Sequence, residues 1–331
     1  MIGTLKLILH TQLKHQLNKK NSGFTLIELL VGLILAGLVI TPVMSFMINI
    51  LDTSRREEAK AASEQEVQSA LDYIAQDLRQ AVYIYNATGL DNSLRTYPGI
   101  SGIKDQIPPE ASVPGCINNP PNNICVPVLA FWKRDIRTVP VPNEVNQVQP
   151  REAVRRNNTL DTFVYSLVTY YLIKGNDPNQ TWSNAARIAR FQITDGVKNP
   201  TDTNNYIELP SPGFRSFDLR SPGITLEEKM NRWQKNPEAY TATFDTLIDY
   251  IDTSNLTPNC PTNTQSNIQQ IPSALVGGFS ACVNSANTSA QVHLRGNALA
   301  RIQDGASCDR ELNYCPTASI EIQGRGLLNT N

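Results

Sequence analysis

Few side chains in this chain can do chemistry, and their spacing narrows what they can do. Glu28 is the one charged residue between Phe24 and Leu51, in a run that is otherwise apolar or uncharged. A carboxylate at the centre of a membrane helix costs about 2.5–3.5 kcal/mol, so one kept in such a run reads as the partner of a cation. The six cysteines fall as Cys116 and Cys125, Cys260 and Cys282, Cys308 and Cys315, all beyond that run. An even number on one side of a membrane-length segment reads as disulfides, with the sequence-near pairing preferred among the many connectivities that six cysteines allow. Zinc is the competing reading of these thiols. It is disfavoured because no C-x2-C pair occurs and residues 24–331 hold a single histidine, His293. That histidine, in AQVHLRG, has no second histidine with which to share a nucleophile site, so a structural place in a strand is its default. Gly324 and Gly326 do not lead from a strand into a helix as a phosphate loop does. The Asp and Asn groups at 176–177, 202–205 and 252–255 lack the alternating acidic spacing of an EF-hand and read as Asx turns. No catalytic residue, metal set or cofactor is expected, and the chain is not expected to be an enzyme.

The element that positions Glu28 is a helix. The 28 residues of 24–51 would rise about 42 Å, more than the roughly 30 Å of a bilayer core. A secretory signal peptide has a shorter apolar core, closed by a small-residue cleavage site. Nothing of that kind closes this run, so a cut site would lie before it. Residues 1–23 carry Lys6, Lys14, Lys19 and Lys20 and no acid, which suits a cytoplasmic leader. Gly32, Ala36 and Gly37 offer small surfaces for neighbouring helices. Pro42 lacks an amide hydrogen and should kink or locally melt the helix.

The stretch GFTLIELLVGLILAGLVI, residues 23–40, resembles the N-terminus of type IV prepilins and type II secretion pseudopilins. Its register comprises a basic leader, Gly23, Phe24, Thr25, Glu28 and the apolar helix. The resemblance implies a membrane aspartyl peptidase, the prepilin peptidase, that cuts after Gly23 and methylates the new amino terminus at Phe24. It also implies that Glu28, the fifth residue of the mature chain, meets the terminal ammonium of a neighbouring subunit and sets the axial register of a filament. Subunits without this glutamate tend to sit at a filament tip, so Glu28 leaves other positions open to this chain. The implied partners are other pilins or pseudopilins, an inner-membrane assembly platform and membrane lipid. The implied location is the cytoplasmic (inner) membrane, crossed once with the globular domain outside the cytoplasm, and then a filament or the cell surface. The implied fold is α+β and pilin-like, a long N-terminal membrane-spanning helix packed on antiparallel β-sheet.

Beyond the apolar run, Ala59, Ala62, Val67, Leu71, Ile74, Leu78 and Ala81 recur at spacings of three to five, with charged residues between them. This pattern predicts an amphipathic helix over 52–82 that continues the membrane helix, since no proline falls between Thr53 and Val82. SALDYIAQDLRQA, residues 69–81, resembles the corresponding helix of larger minor pilins and J-type minor pseudopilins. The remaining 83–331 read as a disulfide-containing, β-rich globular domain. Strands are expected at 126–132, 162–173, 186–194, 206–209, 214–219, 291–294 and 318–323. Helices are expected at 226–234 and 239–250, and an exposed loop at 140–158 carrying Arg151, Arg155 and Arg156. Short strands separated by turns point to antiparallel pairing.

Removing the leader with its four lysines leaves 25 basic against 30 acidic side chains, a net charge of −5, which argues against nucleic-acid binding. AQVHLRGNALARI and CPTASIEIQGRGLL resemble parts of the large minor pilin-like proteins of cyanobacteria, among them pseudopilins of hormogonium polysaccharide secretion. Type IV pilus, type II secretion and polysaccharide export machines share such subunits. A function of a different class stands beside the filament subunit, namely a single-span surface protein whose globular domain binds an extracellular ligand. Processing separates the two. Mass spectrometry of the mature chain should find N-methylated Phe24 at its start, and Gly23→Val, which branches the residue the peptidase must seat, should leave the leader attached. A retained Met1 in normal material would contradict the prepilin reading.

Overall fold

The computed structural model describes residues 23–120, 122–140, 154–156, 159–175, 177, 179–200, 202, 204–254, 260, 267–274, 277–309 and 312–326. Two compact units part between Ser54 and Arg55. Helix α1, Leu26–Arg79, is assigned without a break and contains Pro42. The expected melting at Pro42 does not occur. Proline removes a single helix donor, and in the same turn Thr41 Oγ1 donates to Gly37 O at 2.8 Å.

In the second unit α1 turns a 3.6-periodic stripe inward. Ala59, Ser63, Val67, Ala70, Leu71, Ile74, Ala75, Asp77 and Leu78 are its buried residues. Of these, Val67, Ala70, Leu71, Ile74, Ala75 and Leu78 join one hydrophobic core with the strands. The first sheet contains β1 (Ala81–Ile84), β2 (Ile124–Pro140), β3 (Val154–Arg156), β4 (Thr159–Lys174), β5 (Ala186–Thr194) and, after the short pair β6 (Val197–Lys198) and β7 (Tyr206–Glu208), β8 (Asp245–Ile251). Its order is β1-β2-β4-β5-β8, with β3 on β4, and every pair is antiparallel. A second antiparallel sheet runs β12-β11-β10-β9, built from β9 (Gln269–Ile271), β10 (Phe279–Asn284), β11 (Ser289–Arg295) and β12 (Thr317–Gln323).

Strand alternation divides the side chains of the first sheet between two faces. One face meets α1 through ions. Asp77 Oδ1 lies 2.9 Å from Lys133 Nζ, and its Oδ2 lies 2.8 Å from Arg190 Nε and accepts from the Tyr170 hydroxyl at 2.8 Å. Lys133 also reaches Asp135 Oδ1 at 2.9 Å, and Asp135 Oδ2 accepts from Ser166 Oγ at 2.7 Å. Two cations therefore face two anions, and the hydroxyls and amides of Ser166, Gln192 and Thr194 fill remaining hydrogen-bond sites. On the opposite face Trp132 is buried against Phe214, Phe217 and Trp233, with centroids 5.9, 5.2 and 5.5 Å away. Its Nε1 donates to Tyr85 Oη at 3.0 Å, and that hydroxyl donates to Met230 O at 3.1 Å.

The two sheets touch at both edges of the first. Beside β8, Asp252 N donates to Arg295 O at 3.0 Å and Asn297 N to Tyr250 O at 2.7 Å. Beyond β12, Arg325 N donates to Arg79 O and Gly326 N to Ala81 O, each at 3.0 Å. These junctions explain two glycines. A Cβ on Gly296 would sit 2.5 Å from Ser63 Oγ, and one on Gly326 would sit 2.4 Å from Val82 Cγ1, so only glycine allows the backbone this close.

The long apolar N-terminal helix and antiparallel sheet domain form the expected α+β architecture, with several local differences. Helix α1 ends at Arg79 rather than at 82, because the buried run Ala81–Ile84 pairs with β2 as an edge strand. Residues 239–250 are not a helix. Their β-branched residues supply β8, which covers the free edge of β5. Residues 214–219 form no strand, since Phe214 and Phe217 are drawn onto Trp132. The expected helix 226–234 shortens to α3, Leu226–Met230, while Asn86 caps a small α2, Ala87–Asp91. Strand β3 occupies part of the expected 140–158 loop. Arg151 lies outside the described residues, as does the leader up to residue 22. Strand β10 had no counterpart among the sequence expectations.

Burial pushes the Asp77 carboxyl up, but Arg190 and Lys133 outweigh this and hold it below its ordinary value of 3.8. Its contribution to stability is therefore complete above that value and is lost as pH falls through its own lower pKa. Burial of His293 lowers its pKa below 6.5 and adds acid lability in the same sense. Asp195, raised by burial, works in the opposite sense. Asp77→Ala strands Arg190 in a buried site and should cost about 3–5 kcal/mol in denaturant unfolding at neutral pH. It should also flatten the acid limb of the stability profile. A loss below about 1 kcal/mol, the level of an exposed ion pair, would show the cluster to be incidental.

Candidate functional site

The N-terminal end of α1 is built by its own residues. Gly23, Phe24 and Thr25 precede the helix. Thr25 caps it, its carbonyl accepting from Leu29 N at 3.1 Å and its Oγ1 from Glu28 N at 3.4 Å. Thr25 and Glu28 thus hold the spacing of a capping box. In the first turn, the Glu28 carboxylate lies where the helix dipole favours an anion. Among the described residues it makes no ion pair.

Every residue from Gly23 to Arg55 is exposed, including Phe24 at 81% and Leu26 at 85%. A Cβ on Gly32 or Gly37 would meet nothing within 4 Å, so no packing among the described residues requires these glycines. One helix in the described structure is long and apolar enough to cross a membrane. A surface of this kind is stable only when lipid or other helices cover it. The arrangement offers a neighbour three things: an apolar rod, gaps for close approach and a single unpaired carboxylate next to the helix start.

The three disulfides join Cys116 to Cys125, Cys260 to Cys282 and Cys308 to Cys315, with Cα separations of 5.3, 5.6 and 5.9 Å. This is the sequence-near set. The last closes a loop that grips α1 early in the second unit. Arg301 from this region pairs with Glu66, the Tyr314 hydroxyl lies 3.4 Å from Glu57 Oε1, and the Arg56 guanidinium stands 6.0 Å from the centre of the Tyr314 ring.

The other residues singled out in the sequence belong to the second unit. His293 is buried on β11 with Nε2 3.7 Å from Cys282 Sγ. Gly324 and Gly326 belong to the backbone junction with Ala81. Asp177 and Asp202 accept from nearby amides, Trp182 N at 2.6 Å and Asn204 N at 3.1 Å. Asp252 is paired with Arg295, Nε to Oδ2 at 2.7 Å. Among the described residues no group of three or more His, Cys, Asp or Glu side chains gathers as a metal set would. Sequence reasoning missed the cluster of Asp77, Lys133 and Arg190. Its one signal was an aspartate between Ile74 and Leu78 on the apolar stripe.

A family model for the prokaryotic N-terminal methylation motif matches residues 18–44, which span Gly23, Phe24 and Glu28. No curated protein and no solved structure matches the chain. The chain therefore carries a type IV pilin-like precursor signal at the start of one apolar helix. The signal implies prepilin peptidase processing, assembly with other pilins and a membrane-anchored, single-pass protein.

The grip on α1 can be tested apart from the fold. Replacing Cys308 and Cys315 together by alanine should cost about 2–4 kcal/mol. It should also speed amide exchange in residues 57–66 before that of β4 and β5. Uniform acceleration across the second unit would show that the loop does not act locally.

Proposed function

We propose that the protein is a minor pilin or pseudopilin, cut after Gly23, methylated at Phe24 and built into a pilus-like or secretion-like filament through α1. The observation that carries this reading is the helix surface itself. Residues 24–51 leave all their apolar side chains uncovered yet retain one carboxylate, Glu28, in the register of the methylation motif. In a filament the carboxylate would neutralise the ammonium of a neighbour's Phe24, in surroundings that solvate neither charge well. The neighbours' helices would cover the rod. An assembly platform in the cytoplasmic membrane would draw the subunit from the lipid. The role is structural rather than catalytic. Such a filament would support secretion, of polysaccharide where the C-terminal resemblance applies, or motility.

Replacing Glu28 by leucine separates a filament subunit from a tethered surface protein. The variant is more apolar, so insertion, cleavage after Gly23 and folding of the second unit should be unchanged. Incorporation should fall, because a neighbour's ammonium loses its counter-charge. Crosslinking to the major subunit at the normal level would overturn the filament role of Glu28.

A further inference from the structure

Beyond Lys133 the outer edge of β2 is open. Strand β1 covers β2 only from Phe131 to Lys133, whereas β2 runs on to Pro140 with its inner edge paired to β4. The backbone groups of successive strand residues point to opposite sides. Ala130 O accepts from Tyr85 N at 2.9 Å and Arg134 N donates to Gln80 O at 3.4 Å, so the even-numbered residues face outward. Ile136 and Thr138 therefore present their N–H and C=O groups along an edge that no described strand covers. Such an edge is a template for pairing with another strand.

An open groove of about 600 Å³ lies at this edge, lined by Ile136 and by three arginines, Arg79, Arg134 and Arg325. Arg325 N donates to Arg79 O at 3.0 Å, so two of the three stand on adjoining backbone, where like charges repel. No carboxylate answers them. Among the described residues none of the three makes an ion pair. Asp135, the one acid of the groove, is taken by Lys133 Nζ at 2.9 Å and Ser166 Oγ at 2.7 Å. The Arg134 guanidinium stands 3.5 Å from the centre of the Phe163 ring, and stacking of this kind holds the planar fork in place for a carboxylate. Ile136 and Phe163 are partners across β2 and β4 and are 67% and 46% exposed. They form a paired apolar surface in the same groove.

We propose that this edge binds an extended acidic segment of another polypeptide, which adds a strand beside Ile136 and Thr138 and pairs its carboxylates with the three arginines. Its apolar residues cover Ile136 and Phe163. Each observation removes an alternative. Donors and acceptors that repeat at every second residue match a peptide backbone, whereas a glycan or a lipid headgroup offers no such repeat. Unanswered guanidiniums repel a basic segment and suit carboxylates, which can accept two N–H bonds from one guanidinium. Charge and Pro140 also keep indiscriminate strand pairing off the edge, so the site is restricted to a partner of the right sign. Backbone hydrogen bonds supply the affinity and the arginines the choice of partner. The assignment goes beyond the filament reading and holds whether or not the chain enters a filament.

Fluorescence anisotropy on the mature protein in nanodiscs of neutral lipid tests it. The probes are labelled peptides with blocked termini, EEVTVTV and VTVTVEE, which offer either strand direction. Their lysine counterparts, and forms N-methylated along VTVTV that keep the charge but cannot donate, serve as controls. At least one acidic peptide should bind and slow amide exchange at Ile136 and Thr138, with both kinds of control roughly tenfold weaker or more. In the double variant Arg79→Gln, Arg325→Gln its affinity should fall roughly tenfold. Both side chains are exposed, so Tm should shift by less than about 4 °C, which separates lost binding from lost folding. Equal binding of the N-methylated form would mean that a charged surface and not a strand edge captures the peptide, and would overturn the proposal. So would failure of both acidic peptides to bind, or undiminished binding in the double variant. Protection of the same two amides on self-association without peptide would give the edge to a second copy, and would overturn it equally.

Discussion

The ion cluster around Asp77 holds the second unit in its register. A helix packed on a sheet through apolar contacts alone can slide or rotate by small amounts at little cost, because dispersion has no direction. Asp77 removes that freedom. Its two oxygens take Lys133 from β2, Arg190 from β5 and the Tyr170 hydroxyl from β4, so three strands and one helix must be in place together. A buried ion cluster contributes little net stability once desolvation is counted. Its effect here is on the uniqueness of the packing, since a helix turned by one residue would leave three buried polar groups without their anion.

The rest of the second unit depends on that register. With α1 fixed, the turn after Arg79 delivers Ala81–Ile84 to the edge of β2, and the chain beyond β12 can donate to Arg79 O and Ala81 O. At the other edge, the Asp252–Arg295 pair joins β8 to β11, and Gly296 lets β11 leave the sheet against Ser63. The opposite face of the first sheet is closed by the long excursion between β7 and β8, whose aromatic residues surround Trp132. Three disulfides pin loops that have little core of their own, and one holds the loop that grips α1 at Glu57 and Glu66.

Within α1 the two units obey opposite rules. From Arg55 onward the apolar residues are periodic and one face is polar, as suits a helix with protein on one side and water on the other. From Leu26 to Leu51 they lie all round the helix and every one is exposed, as suits a helix whose cover comes from other molecules. The methylation motif sits at the start of that second kind of surface.

The sequence alone determined what depends on nearby residues. Gly23, Phe24, Thr25 and Glu28 form a contiguous signal, the apolar run has a length fixed by helix rise, and β4, β5, β11 and β12 have apolar patterns that need no partner to be recognised. The sequence-near disulfides also belong here, because loops of such length bring their ends together locally. Tertiary structure decided the rest. Val82, Tyr83 and Ile84 suit a helix end or a strand equally, and only the open edge of β2 made them a strand. Residues 245–251 turned on the free edge of β5 in the same way. Asp77 reads as an ordinary surface acid until Lys133 and Arg190, 56 and 113 positions away, are brought to it. Arg79, Arg134 and Arg325 carry no pattern at all, and what they share is a groove at the edge of β2 that exists only after the chain beyond β12 has returned to the end of α1.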